Sequence, residues 1–131
     1  MARLPTLIFG VILVLLGLLG FISNPLIGAH ALFAADAAHN VVHILLGVLL
    51  LTVAFWAKES SALWLKGVGI LLFLFGLAGV ISVPETGGAL FGAFMTNRFS
   101  DWFHLVAGAI VFFGSFHDKD DPHTSASGMK F

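Results

Sequence analysis

The stretch Gly17-Leu18-Leu19-Gly20-Phe21-Ile22-Ser23-Asn24-Pro25 returns later in the chain as Gly76-Leu77-Ala78-Gly79-Val80-Ile81-Ser82-Val83-Pro84. Gly17, Leu18, Gly20, Ile22, Ser23 and Pro25 each meet an identical residue at one constant offset, and Gly10 meets Gly69 at the same offset. Downstream, Ala31-Leu32-Phe33 matches Ala89-Leu90-Phe91, and His43 and Gly47 match His104 and Gly108. The offset drifts by a few residues across the intervening loops, where insertions are tolerated. The chain therefore reads as one unit written twice.

Each unit holds two apolar segments. The first runs from Leu4 to Ile22 without a charge, with Pro5 suited to a first helical turn. About 19 residues at about 1.5 Å each span the roughly 30 Å hydrocarbon layer of a bilayer. The second runs from Ala37 to Trp56 with Asp36 as its N-cap, and the third from Ser61 to Ile81 with Lys66 placed to snorkel. The fourth, Asp101 to Phe116, follows Ser100 as the expected cap and is short enough to need local thinning of the bilayer. The expected fold class is an all-α integral membrane protein with four transmembrane helices, arranged as two parallel helical-hairpin repeats. The transmembrane domain covers residues 1–116, with repeat one at 4–56 and repeat two at 61–116, and residues 117–131 form a polar cytoplasmic tail. A rival reading takes the first segment as a cleaved signal peptide, since Arg3, the Leu-rich run and Ala29-His30-Ala31 imitate one. The twin of that segment inside the chain argues for a retained helix.

Composition agrees. Of 131 residues, 59% are hydrophobic and 10% charged, with a mean hydropathy of +1.04. A soluble domain carries about 25% charged residues, so too few polar side chains are present to cover a water-facing surface. A net charge of -1 gives no basic footprint for nucleic acid. The absence of cysteine removes disulfides, thiolate metal sites and thiol nucleophiles. Arg3, Lys58, Lys66, Lys119 and Lys130 fall on one side of the expected topology and Arg98 on the other, which places both termini in the cytoplasm. Trp56 and Trp64 then mark the inner interface and Trp102 the outer one. The outer loops, 23–36 and 82–100, are long and apolar, and are expected to lie in the outer interface or tuck over the bundle.

The glycines Gly10, Gly17, Gly20, Gly69, Gly76 and Gly79 recur at helical spacing, and Gly47 and Gly108 stand on the second and fourth segments. In lipid, small residues let helix backbones approach closely, so all eight are read as packing positions. Histidines are the main candidates for chemistry. His39, His43 and Gly47 share one face of the second helix, and His104 and Gly108 repeat part of that pattern on the fourth. The plain expectation is neutral imidazoles hydrogen-bonded to neighbouring carbonyls. The sharper one is axial ligation of haem b or chlorophyll by His43 and His104, with His39 nearby. His39-Asn40-Val41-Val42-His43 has the spacing of two zinc ligands but places Asn40 where a zincin carries glutamate, so no metal site is assigned. Asn40 and Asp101, three residues before His43 and His104, read as helix-start caps, with Arg98 free to pair with Asp101 at the outer surface. In the tail, His117, Asp118, Asp120, Asp121 and His123 read as solvated.

The run His39-Asn40-Val41-Val42-His43-Ile44-Leu45-Leu46-Gly47, preceded by Gly17-Leu18-Leu19-Gly20-Phe21 and followed by Ser100-Asp101-Trp102-Phe103-His104, resembles a bacterial four-helix membrane family known as domain of unknown function 4383. The resemblance covers nearly the whole chain except the tail. It implies a fold and a bacterial membrane, and no activity. Ser100 stands where the second copy would carry a first histidine.

No serine–histidine–aspartate pattern, phosphate loop or intramembrane carboxylate pair is present. The expected role is therefore non-enzymatic: an accessory or structural subunit of a respiratory or photosynthetic complex. Its partners are the lipid bilayer and other integral membrane proteins, in a bacterial inner or intracytoplasmic membrane. The alternatives are a haem- or chlorophyll-binding subunit and a transporter of small solutes or lipids.

Overall fold

The computed structural model describes residues 3–116. The polar tail expected over 117–131, with its histidines and aspartates, lies outside the described residues. Four α-helices dominate: α1 (Arg3–Leu19), α2 (Ala37–Trp56), α3 (Ser61–Ser82) and α4 (Arg98–Gly114). A single 3₁₀ turn, Lys58–Ser60, joins α2 to α3. Two stretches, Ala37–Trp56 and Lys58–Ser82, are long and apolar enough to cross a membrane. α1 and α4 have 17 residues each, about 25 Å of helix.

α1 is shorter than its apolar run because Asn24 intervenes. Its side-chain amide donates to the carbonyls of Leu19 (2.8 Å) and Ile22 (2.6 Å), taking acceptors that a longer helix would use itself. α4 begins earlier than expected because Asn97 caps it, accepting from the Ser100 amide at 2.9 Å. α2 keeps the expected cap: the His39 amide donates to Asp36 Oδ1 at 3.0 Å.

Packing is heaviest within two antiparallel pairs, α1 with α2 and α3 with α4, and the glycines show why. A side chain at Gly47 would meet the Gly10 carbonyl at 2.7 Å, and one at Gly10 would meet the Gly47 carbonyl at 3.1 Å. In the second pair, a side chain at Gly69 would meet the Gly108 carbonyl at 2.9 Å, and one at Gly108 would meet the Gly69 carbonyl at 2.6 Å. Gly17 lies 2.7 Å beneath the Asn40 carbonyl on the same measure, and Gly76 lies 2.5 Å beneath that of Asp101. Gly20 receives the Asn40 side chain and Gly79 that of Asp101. All eight glycines thus stand at backbone or polar contacts that a larger residue would block.

The pairs meet through Leu13 of α1, Leu50 of α2, and Val68 and Leu72 of α3, with Phe9 and Leu46 packed against them. α4 takes no part in this cluster. α2 packs on α3, but α1 and α4 do not pack along each other. At the other end of the bundle from the short 57–60 link, both connecting loops fold back over the helices. The first forms a parallel bridge, β1 (Ile27–Gly28) with β2 (Phe33–Ala34). The second forms an antiparallel hairpin, β3 (Gly88–Leu90) with β4 (Phe94–Thr96). Ile27, Ala34, Ala35, Leu90 and Thr96 of these loops are buried, so the apolar loop sequences tuck over the bundle.

Candidate functional site

Asp36 sets up the site. Its Oδ1 caps α2 at the His39 amide, and its Oδ2 accepts from the Met95 amide of β4 at 3.3 Å. The carbonyl of the same Met95 lies 3.0 Å from His39 Nδ1. A carbonyl only accepts, so His39 Nδ1 carries a proton, and in the neutral tautomer this leaves Nε2 bare. That Nε2 lies 3.4 Å from His104 Nε2 of α4. His104 Nδ1 in turn lies 3.4 Å from Ser100 Oγ, one turn earlier on α4. His43 completes the group, its ring centroid 4.6 Å from that of His39 and 5.8 Å from that of His104. His43 Nδ1 is buried without a hydrogen-bond partner.

One ring nitrogen from each histidine lies within 4.8 Å of the other two. His39 and His104 are 3% and 5% exposed, while His43 is half-buried. Phe75 of α3 packs against both His39 and His104, and Phe94 against His39. A cavity of about 80 Å³ opens beside the cluster, between α1 (Phe9, Ile12, Leu13, Leu16) and α4 (Phe103, Ala107), and is otherwise apolar apart from Ser100.

The sequence placed His43 and His104 opposite each other. The structure brings His39 into the same cluster, closer to His104 than His43 is. This arrangement is poorly suited to a macrocycle held between His43 and His104. Such a ring needs a flat slot between its axial ligands, and His39 packs against both. The adjoining cavity is also well below the several hundred Å³ of a pocket for a large cofactor.

Three expectations near the site are corrected. Ser100 does not cap α4; Asn97 does, which frees the Ser100 hydroxyl to face His104. Asn40 and Asp101 do not cap either, because they stand past the helix starts at Asp36 and Asn97, and their side chains lie on Gly20 and Gly79. Arg98 does not pair with Asp101 at the surface. Its Nη1 donates to the Val80 carbonyl at 2.6 Å and its Nη2 to that of Val83 at 3.4 Å, satisfying acceptors at the end of α3. Asp101 is fully buried. Neither carboxylate oxygen makes a well-directed hydrogen bond; Thr96 faces it, and Arg98 acts on it through charge.

The sequence reading missed Met95 and Ser100 as histidine partners. Ser100 was reachable, being one helical turn from His104; Met95 lies on a loop strand whose path no periodicity announces.

The fold and this cluster define a helical protein with two membrane-length helices and a histidine-lined polar centre near one end. The chain belongs to the family described as domain of unknown function DUF4383, whose model matches residues 3–117. No curated protein and no solved structure matches it significantly.

Proposed function

We propose that the chain crosses the bilayer four times as two like hairpins and serves as a small non-enzymatic accessory subunit of a larger membrane assembly, such as a respiratory or photosynthetic complex. The short helices support the four-crossing reading through their surfaces. Leu4, Ile8, Val11, Leu15 and Leu18 of α1 are exposed, as are Val106, Ile110 and Phe113 of α4. Water would penalise such faces; lipid accepts them. The pairwise correspondence of Gly10–Gly47 with Gly69–Gly108 supports the repeat. Excess lysine and arginine at the end carrying Arg3, Lys58 and Lys66 supports cytoplasmic termini in a bacterial plasma membrane.

The observation that carries the subunit reading is the open α1–α4 edge. A two-fold relation between the hairpins maps the α2–α3 contact onto an α4–α1 contact. The first is packed and the second is open. A transmembrane helix of a neighbouring protein fits that edge, with Ile12 and Phe103 exposed on its two sides. A photo-crosslinker placed at position 12 or 103 in native membranes should yield one discrete adduct, and one at Val48 on α2 should not. The reading fails if neither edge position crosslinks and the protein purifies in mild detergent only as a lone monomer.

A second reading, a ligand-binding subunit, is favoured by the convergence of His39, His43 and His104. In its haem or chlorophyll form it predicts a Soret or chlorin band in the purified protein, and a spectrum without either removes that form. The third reading, transport of a small solute or a lipid, calls for a polar or lipid-filled cavity between the hairpins; the cavity between α1 and α4 is lined mainly by apolar side chains, which argues against a polar solute.

A further inference from the structure

We propose that His39, His43 and His104 form a binding site for one divalent transition-metal ion of the zinc or copper type, with a coordination position left open to the cavity between α1 and α4. The proposal is independent of the accessory-subunit reading.

The closest pair of nitrogens matches the ion, and all three donor atoms lie within 4.8 Å of one another, so the set must draw in slightly on binding. Two imidazole nitrogens on one tetrahedral zinc, each about 2.0–2.1 Å from the metal, stand about 3.3–3.4 Å apart. His39 Nε2 and His104 Nε2 are 3.4 Å apart. The same separation lies beyond the usual N–H···O hydrogen-bond range of about 2.7–3.2 Å. The Ser100–His104 contact is equally long, and His43 Nδ1 has no partner. Hydrogen bonding therefore satisfies these rings only in part, although buried polar groups are normally satisfied. A shared cation accounts for three imidazoles turned toward one another among phenylalanines.

The protonation pattern also fits. Met95 holds the proton of His39 on Nδ1, which leaves Nε2 as a donor of electrons to a metal. A backbone carbonyl on the far nitrogen is the usual means of orienting a ligating histidine. Ser100 occupies the corresponding place behind His104. Ligand type narrows the ion. All three donors are imidazole, with no thiolate in the chain and no carboxylate in the cluster. This suits zinc, copper, nickel or cobalt better than calcium or magnesium. Asp36, whose carboxylate caps α2 at the His39 amide, acts on His39 through charge and supplies negative potential that offsets a divalent ion in a medium of low dielectric.

The test uses the full chain, purified in mild detergent without a polyhistidine tag, stripped by chelator and loaded with Co²⁺ as a visible stand-in for Zn²⁺. One ion per chain is expected after desalting, with the intense absorption of a four-coordinate site, displaced by Zn²⁺ and unaffected by Mg²⁺. His43→Ala and His104→Ala should each abolish it, whereas His30→Ala and the double variant His117→Ala/His123→Ala should retain it. Should the cluster variants fail to fold, Ser100→Ala keeps every ligand and should weaken affinity about tenfold. Zn²⁺ should also raise the unfolding temperature of the wild type. The proposal is overturned if the wild type retains no stoichiometric ion, if binding survives in a folded His104→Ala chain, or if the tail variant alone removes it.

Discussion

Asn40 and Asp101 show how much one residue can mean beyond its type. Each fills space above a glycine near the end of the helix it packs on, Gly20 just past α1 and Gly79 in α3, in a contact so close that a Cβ on the glycine would collide with the polar side chain. The sequence marked these glycines as packing positions from their spacing, but not what lies on them, because helical periodicity gives a face and not the rotamer opposite it. Gly67 is the contrast: it lies on α3 with nothing near a would-be Cβ. Gly79→Ala is therefore expected to destabilise by about 1–3 kcal/mol through overpacking against Asp101. Gly67→Ala should stabilise by about 0.5–1 kcal/mol through helix propensity alone. Reversible unfolding in detergent measures both, and equal effects at the two sites would show that the contact on Gly79 carries no energy.

Among the elements, helix ends were legible where one side chain decides them and illegible where two compete. Asp36 precedes α2 with no rival and caps it as expected. Before α4, Asn97 and Ser100 both qualify by residue type, and the asparagine takes the helix start. The loops were legible only as apolar covers; their strand pairings depend on contacts that no local pattern encodes. Because Asp36 also holds the Met95 amide, its two oxygens tie α2 to β4. Asp36→Ala should then cost more than the roughly 1 kcal/mol of an ordinary cap, by about another 1 kcal/mol for the second bond. Asn97→Ala should cost the ordinary amount. Hydrogen exchange gives a local check: Asp36→Ala should speed exchange at Met95, and unchanged protection there would dissociate the cap from the strand. Arg98→Ala should similarly loosen the last turn of α3, where its guanidinium meets the Val80 and Val83 carbonyls, at a cost of about 1–3 kcal/mol.

For the whole molecule, the proposed duplication accounts for both the regularity and the exception. The 3₁₀ link Lys58–Ser60 joins α2 directly to α3 and draws them together, whereas α4 and α1 are far apart in sequence and have no such tether. Like hairpins can therefore close on one side and stay open on the other. The matching stretches Gly17–Pro25 and Gly76–Pro84 pointed to like hairpins but not to the open edge, since matching sequence bears on each hairpin more than on the contact between them. If all four helices span the bilayer, Glu59 in the short link and Glu85 in the second outer loop must face opposite sides of it. The natural absence of cysteine makes this directly measurable. Glu59→Cys should resist a membrane-impermeant maleimide in intact cells and react once the membrane is opened. Glu85→Cys should react in intact cells, given access through the outer envelope. Labelling of both positions from one side would mean that Ser61–Ser82 does not cross. The reverse assignment would keep the four crossings and invert the orientation, placing the histidine end toward the cytoplasm, because the cluster lies at the same end of the bundle as Glu85 and the loops that cover it.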